Sequence, residues 1–128
     1  MRRLKVLIVE DSPAMRQLLS LAARRRQGVE VFEAGDGLAA LKMLASQTFD
    51  LVFVDLNMPI LDGMKLIKRV RESETAVTAE RVRICVITTE HAQATEDQAR
   101  ALGADFFVRK PVSRRDVERI LSEAFPGN

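Results

Sequence analysis

The chain holds a single cysteine and a single histidine in 128 residues, and it has no tyrosine and no large surplus of either charge. One cysteine excludes a disulfide framework. Cys85 lies inside the apolar run "VRICVIT", where a small buried thiol is expected rather than a reactive one. Twenty basic residues against 18 acidic ones leave a formal net charge of +2, too little to mark a nucleic-acid or anionic-membrane binder. The opening "MRRLKVLIVEDSP" is interrupted by acids, and neither a small-residue cleavage site nor a membrane-length stretch follows it. A cytoplasmic protein without membrane insertion or direct nucleic-acid contact is expected. His91 follows "TTE" with no partner ligands nearby in sequence, so it reads as an exposed loop residue.

What is present is apolar and periodic. Hydrophobic residues make up 47% of the chain, enough for one substantial core, and no repeat or linker appears, so residues 1–128 are read as one domain. Short β-branched or aliphatic runs recur at 4–9, 29–34, 51–54, 83–88 and 105–109, each with the character of a strand. Between them apolar residues fall at helical spacing: Met15, Leu18, Leu19 and Ala22; Leu38, Leu41 and Leu44; Met64, Ile67 and Val70; Val117, Ile120, Leu121 and Ala124. A thinner helix is expected from Gln93 to Leu102, ended by Gly103. Ser12 before Pro13, Asp36 after Gly35, and Ser113 supply caps. The polar stretch 71–83 reads as a helix end running into a surface loop. Strands alternating with helices imply an α/β fold with a parallel sheet covered on both faces.

In such a sheet ligands gather beyond the carboxyl ends of the strands. There the sequence places Glu10 and Asp11, Asp55, Thr88 and Thr89, and Lys110 with Pro111. Three converging carboxylates repel one another, more so when desolvated, and call for positive charge. A divalent cation with oxygen ligands answers that need, and Mg²⁺ commonly takes one or two carboxylates plus waters and phosphate oxygens. Asp11 and Asp55 are the ligand candidates, with the Asn57 backbone carbonyl as a third. Taken singly, each acid could merely open a helix or start a turn. Taken together with Thr88 and Lys110, they suggest phosphoryl transfer to a carboxylate nucleophile, best placed at Asp55.

The landmarks "VLIVEDSP" (6–13), "VDLNMPILDG" (54–63), "VITTE" (86–90) and "VRKP" (108–111), in this order, resemble those of bacterial response regulators, specifically their receiver domain. The resemblance covers essentially the whole chain. It implies a flavodoxin-like (βα)5 fold, doubly wound in three layers, with strand order 2-1-3-4-5. It implies that Asp55 accepts phosphate from a histidine of a sensor kinase or phosphotransfer protein. Asp11 would ligate Mg²⁺ directly and Glu10 through water, while Lys110 and Thr88 would hold the phosphoryl oxygens. Thr88 and Phe107 would form the switch pair; tyrosine is frequent at the second position, so Phe107 keeps the packing and lacks the hydroxyl. The Lys110–Pro111 peptide is expected to be cis. Thr89 departs from the commoner alanine, and with Asn57 and Glu90 it would modulate access to the site.

The same resemblance suggests an output surface on the fourth helix, fifth strand and fifth helix, usable for a downstream protein or for a homodimer, with Arg114 and Arg115 beside it. Arg24, Arg25 and Arg26 at the end of the first helix complement its dipole, and the family's histidine-bearing partner docks on that helix. Met58 and Met64 fill gaps beside the acceptor loop. A stand-alone switch is expected, with a receiver excised from a larger regulator as the alternative. A haloacid-dehalogenase-type phosphatase also uses an aspartate after a parallel strand, but wants a second aspartate where Asn57 stands. A degenerate module that never takes phosphate is disfavoured by the complete acid, threonine and lysine set.

Overall fold

The structure, a computed structural model, describes residues 3–73 and 81–127. Five strands, β1 (Leu4–Val9), β2 (Val29–Ala34), β3 (Leu51–Asp55), β4 (Arg83–Thr88) and β5 (Phe106–Arg109), alternate with five helices, α1 (Pro13–Arg24), α2 (Gly37–Ser46), α3 (Gly63–Ser73), α4 (Gln93–Leu102) and α5 (Arg114–Ala124). All strand pairings are parallel and the order is β2-β1-β3-β4-β5. This is the expected flavodoxin-like arrangement.

Alternation along the strands divides the core in two. Val6 and Ile8 of β1, Leu51 and Phe53 of β3, and Cys85 and Ile87 of β4 share one cluster with Leu19 of α1 and Ile120 and Leu121 of α5. Leu7 and Val9, Val52 and Val54, and Ile84 and Val86 face the other way, against Leu66 and Ile67 of α3 and Ala99 of α4. A period of two makes both faces apolar in every central strand, which is why these strands read as continuous hydrophobic runs.

The expected caps are in place. Ser12 and Asp36 accept from the amides of Met15 and Ala39, and Ser113 forms a reciprocal capping box with Asp116. Gly103 ends α4 at φ +117, a left-handed conformation that suits glycine. Two expectations need correction. Leu18 and Leu38, counted on apolar helix faces, are exposed at 43% and 49%, because those helices bury narrower stripes than the leucine spacing suggests. Asp55 is the last residue of β3, opposite Ile87 of β4, so it belongs to the strand and not to the turn after it. Within the stretch 71–83 expected to hold a helix end and a loop, residues 71–73 are helical and residues 74–80 lie outside the described residues.

Candidate functional site

The parallel sheet carries the ends of β1, β3, β4 and β5 to one edge, and four of the sequence-derived residues meet there. Carboxylate oxygens of Glu10, Asp11 and Asp55 all lie within 4.8 Å of one another. Glu10 and Asp55 are buried while Asp11 is exposed. The Lys110 ammonium, delivered by the loop after β5, stands 3.2 Å from Glu10 Oε1 and 3.6 Å from Asp55 Oδ2. The Lys110–Pro111 peptide is cis, as expected. Asn57 is exposed, and its amide donates to Asp55 Oδ1 at 3.1 Å, which folds the turn after β3 back onto the carboxylate.

One ammonium does not neutralise three acids. Glu10 is raised from 4.5 to about 7, first by burial and then by a hydrogen bond with Asp55 and that residue's charge, while Lys110 only partly opposes them. Burial pulls Lys110 down, but the Glu10 hydrogen bond and the two nearby carboxylates outweigh it and the net shift is upward. Glu10 Oε2 is buried without a hydrogen-bond partner. A buried orphan oxygen beside two further carboxylates fits a divalent cation with oxygen ligands.

Thr88, at the end of β4, is fully buried, and its Oγ1 accepts from the Glu90 amide at 3.1 Å. Its carbonyl accepts from the Lys110 amide at 2.7 Å, so the threonine and the lysine are tied through their main chains. Phe107 is half-buried against the α3 and α4 side of the sheet, and the Arg109 guanidinium lies 5.1 Å from its ring centroid. Arg109 also reaches Glu96 of α4 at 3.4 Å. Thr89 and Glu90 are exposed at the start of the β4–α4 loop, and His91 is exposed as expected.

Two features of the site escape motif reading. Arg16, one turn into α1, donates to the Glu10 carbonyl at 2.8 Å and pairs with Glu33 at 3.1 Å, so it braces the strand end that carries the acids. Gly63 opens α3 so close to β3 that a Cβ there would stand 2.7 Å from both the Asp55 carbonyl oxygen and Leu56 Cα. Arg16 carried no signal, since an arginine on an amphipathic helix is ordinary. Gly63 stood inside a quoted motif, yet only coordinates reveal what its missing side chain makes room for.

Comparison with known proteins agrees with this geometry. The family model described as response regulator receiver domain matches residues 6–122, and the chain belongs to that family. It is similar to chemotaxis protein CheY-3 of Vibrio cholerae, 31% identical over 124 residues that span 97% of this chain and 93% of that protein. Sporulation initiation phosphotransferase F of Bacillus subtilis is 28% identical, spanning 95% and 94% of the two chains. Hybrid signal transduction histidine kinase L of Dictyostelium discoideum is 31% identical, and there the chain spans only 7% of the relative's length. Among solved structures, Vibrio cholerae CheY4 superposes with a TM-score of 0.85 at 30% identity, covering 96% of this chain and 99% of that one. A NarL signal receiver domain from Mycobacterium tuberculosis gives 0.86 at 28% identity, with both chains covered completely. The chain is therefore a receiver, a phosphorylation-type signalling switch rather than a true enzyme, and its acidic cluster fits the family's site. Receivers typically take their phosphoryl groups from histidine kinases. No helix among the described residues is long and apolar enough to cross a membrane.

Proposed function

We propose that Asp55 is the phosphoacceptor, receiving a phosphoryl group from a phosphohistidine of a sensor kinase or phosphotransfer protein in the cytoplasm. The observation that carries this is the convergence of buried Asp55, the Lys110 ammonium at 3.6 Å and the two further carboxylates of Glu10 and Asp11. An Asp55 carboxylate oxygen forms the new P–O bond as the P–N bond to the imidazole breaks. Asp11, Asp55 and the Asn57 carbonyl would hold Mg²⁺, with Glu10 acting through water. When bound, the ion supplies the positive charge that the carboxylates and the phosphoryl oxygens need. Lys110 pairs with one phosphoryl oxygen, and the Thr88 hydroxyl donates to another.

The switch follows from the same contacts. When Thr88 turns toward the phosphoryl group it vacates space on the face where Phe107 packs, and Phe107 moves inward. That movement alters the surface of α4, β5 and α5, where a downstream protein or a second copy binds. Thr89, Asn57 and Glu90 surround the approach to Asp55 and set how readily water and donors reach it. The relatives include both short regulators and much longer proteins, a hybrid kinase among them, so the proposal concerns this domain and not what is joined to it.

Incubation with Mg²⁺ and acetyl phosphate tests the reading. A mass gain of one HPO₃ that needs Mg²⁺ and disappears in Asp55→Asn supports it. A gain of the same size in Asp55→Asn would overturn it.

A further inference from the structure

The α4 helix starts without a side-chain cap: Ala92 stands at its N-cap position. In place of a cap, Thr95 Oγ1 in the first helical turn donates to Glu90 Oε2 at 2.7 Å, the shortest side-chain contact in this loop. Glu90 is anchored at its other end as well, because its amide donates to Thr88 Oγ1 at 3.1 Å. A continuous line of hydrogen bonds thus runs from the proposed phosphoryl-binding hydroxyl to the first turn of α4. A carboxylate held at a helix N-terminus is also favoured by the helix dipole.

Beside this line a cavity of about 580 Å³ opens between α3 and α4, and Asn57, Lys65, Lys68, Glu90, Thr95 and Gln98 all line it. Asn57 lies two residues after Asp55 and is bonded to its carboxylate. A Glu90 side chain released from Thr95 would therefore have room to swing into a space whose wall includes the rim of the acceptor site, bringing a negative charge toward it.

Resting on the reading of Asp55 as acceptor, we propose that Thr95 is a positioning residue that pins the Glu90 carboxylate at the start of α4 and keeps its charge away from the phosphoryl pocket. Thr95 touches no reacting atom. It acts on an anionic phosphodonor only through where it holds Glu90. The electrostatic part of that action is screened by salt.

The test measures the rate of Asp55 phosphorylation by acetyl phosphate with Mg²⁺ in wild type, Thr95→Val, Thr95→Ser, Glu90→Gln and the double variant Thr95→Val with Glu90→Gln. Thr95→Val keeps the shape and loses the donor, and at low ionic strength it is expected to slow phosphorylation by about threefold, an effect that shrinks in high salt. Thr95→Ser should restore the wild-type rate. In the Glu90→Gln background the valine should change nothing, since no charge is left to release. Amide hydrogen exchange of the unphosphorylated protein supplies a readout independent of chemistry at Asp55: the first turn of α4 and the Glu90 amide should exchange faster in Thr95→Val. Equal rates in wild type and Thr95→Val at low salt, or equal slowing with and without Glu90, would overturn the proposal. Failure of wild type itself to take phosphate would instead strike the Asp55 reading, and the exchange measurement would still decide whether Thr95 holds the loop.

Discussion

The Lys110 ammonium stands 3.2 Å from Glu10, yet the Glu10 carboxyl is held up at about 7. Burial and Asp55 outweigh the lysine. Between the ordinary value of 4.5 and about 7, folded Glu10 keeps a proton that the unfolded chain has released. The stability this contributes is fully present below 4.5 and is lost as pH rises through 7. In Mg²⁺-free buffer the Glu10 contribution should fall by about 1–3 kcal/mol between pH 5 and pH 8. Urea denaturation of wild type and Glu10→Gln at both pH values reads it out: the difference between them should grow with pH in favour of the glutamine variant.

Asp55→Asn should separate stability from function. Removing one of three carboxylates within 4.8 Å relieves repulsion, while the asparagine oxygen can still accept from the Asn57 amide. Thermal unfolding without Mg²⁺ should show the variant more stable by about 1 kcal/mol. Isothermal titration should show Mg²⁺ binding weakened by at least about tenfold, one proposed ligand having lost its charge.

Arg16 should matter to Mg²⁺ without touching it. Its guanidinium spans the Glu10 carbonyl and the Glu33 carboxylate at once, a forked contact that a lysine cannot reproduce. Arg16→Lys and Arg16→Gln should each weaken Mg²⁺ binding by about tenfold, as loss of outer-sphere support commonly does. Titration at matched pH checks this. Unchanged affinity in both variants would show that the strand end holds its own geometry.

Gly63→Ala should be costly where most surface changes are not. Its Cβ would meet main-chain atoms of Asp55 and Leu56 at 2.7 Å, and backbone cannot step aside as a flexible side chain can. A destabilisation of about 2–3 kcal/mol is expected, with slower phosphorylation because the strand that carries the proposed acceptor must shift. Asp105→Ala is the contrast. That carboxylate accepts from Arg71, Arg81 and the Ile84 amide, where β4 and β5 begin. Its loss should cost comparable stability while leaving the phosphorylation rate of the folded protein unchanged.

Much of this architecture was legible in the residues because strands buried on both faces must be apolar and helices between them must be amphipathic. Ser12, Asp36, Ser113 and Gly103 marked helix ends correctly, since capping is local chemistry. Leu18 and Leu38 misled, because helical spacing says which residues share a face and not how much of that face a neighbour covers. The acids, Thr88 and Lys110 could be collected at one edge once a parallel sheet was assumed. Arg16, Gly63 and Thr95 could not. Their parts depend on contacts between segments far apart in sequence, or on turns whose direction no pattern encodes.

The central claim is that one particular carboxylate carries the phosphoryl group. Borohydride reduction of the protein after incubation with Mg²⁺ and acetyl phosphate, followed by peptide mass mapping, tests it most directly, since an acyl phosphate is reduced to the alcohol and an ordinary carboxylate is not. Homoserine at position 55, with Glu10 and Asp11 both left unreduced, is the predicted result. An aspartate left intact at position 55 while the reduced residue appears elsewhere would contradict the account.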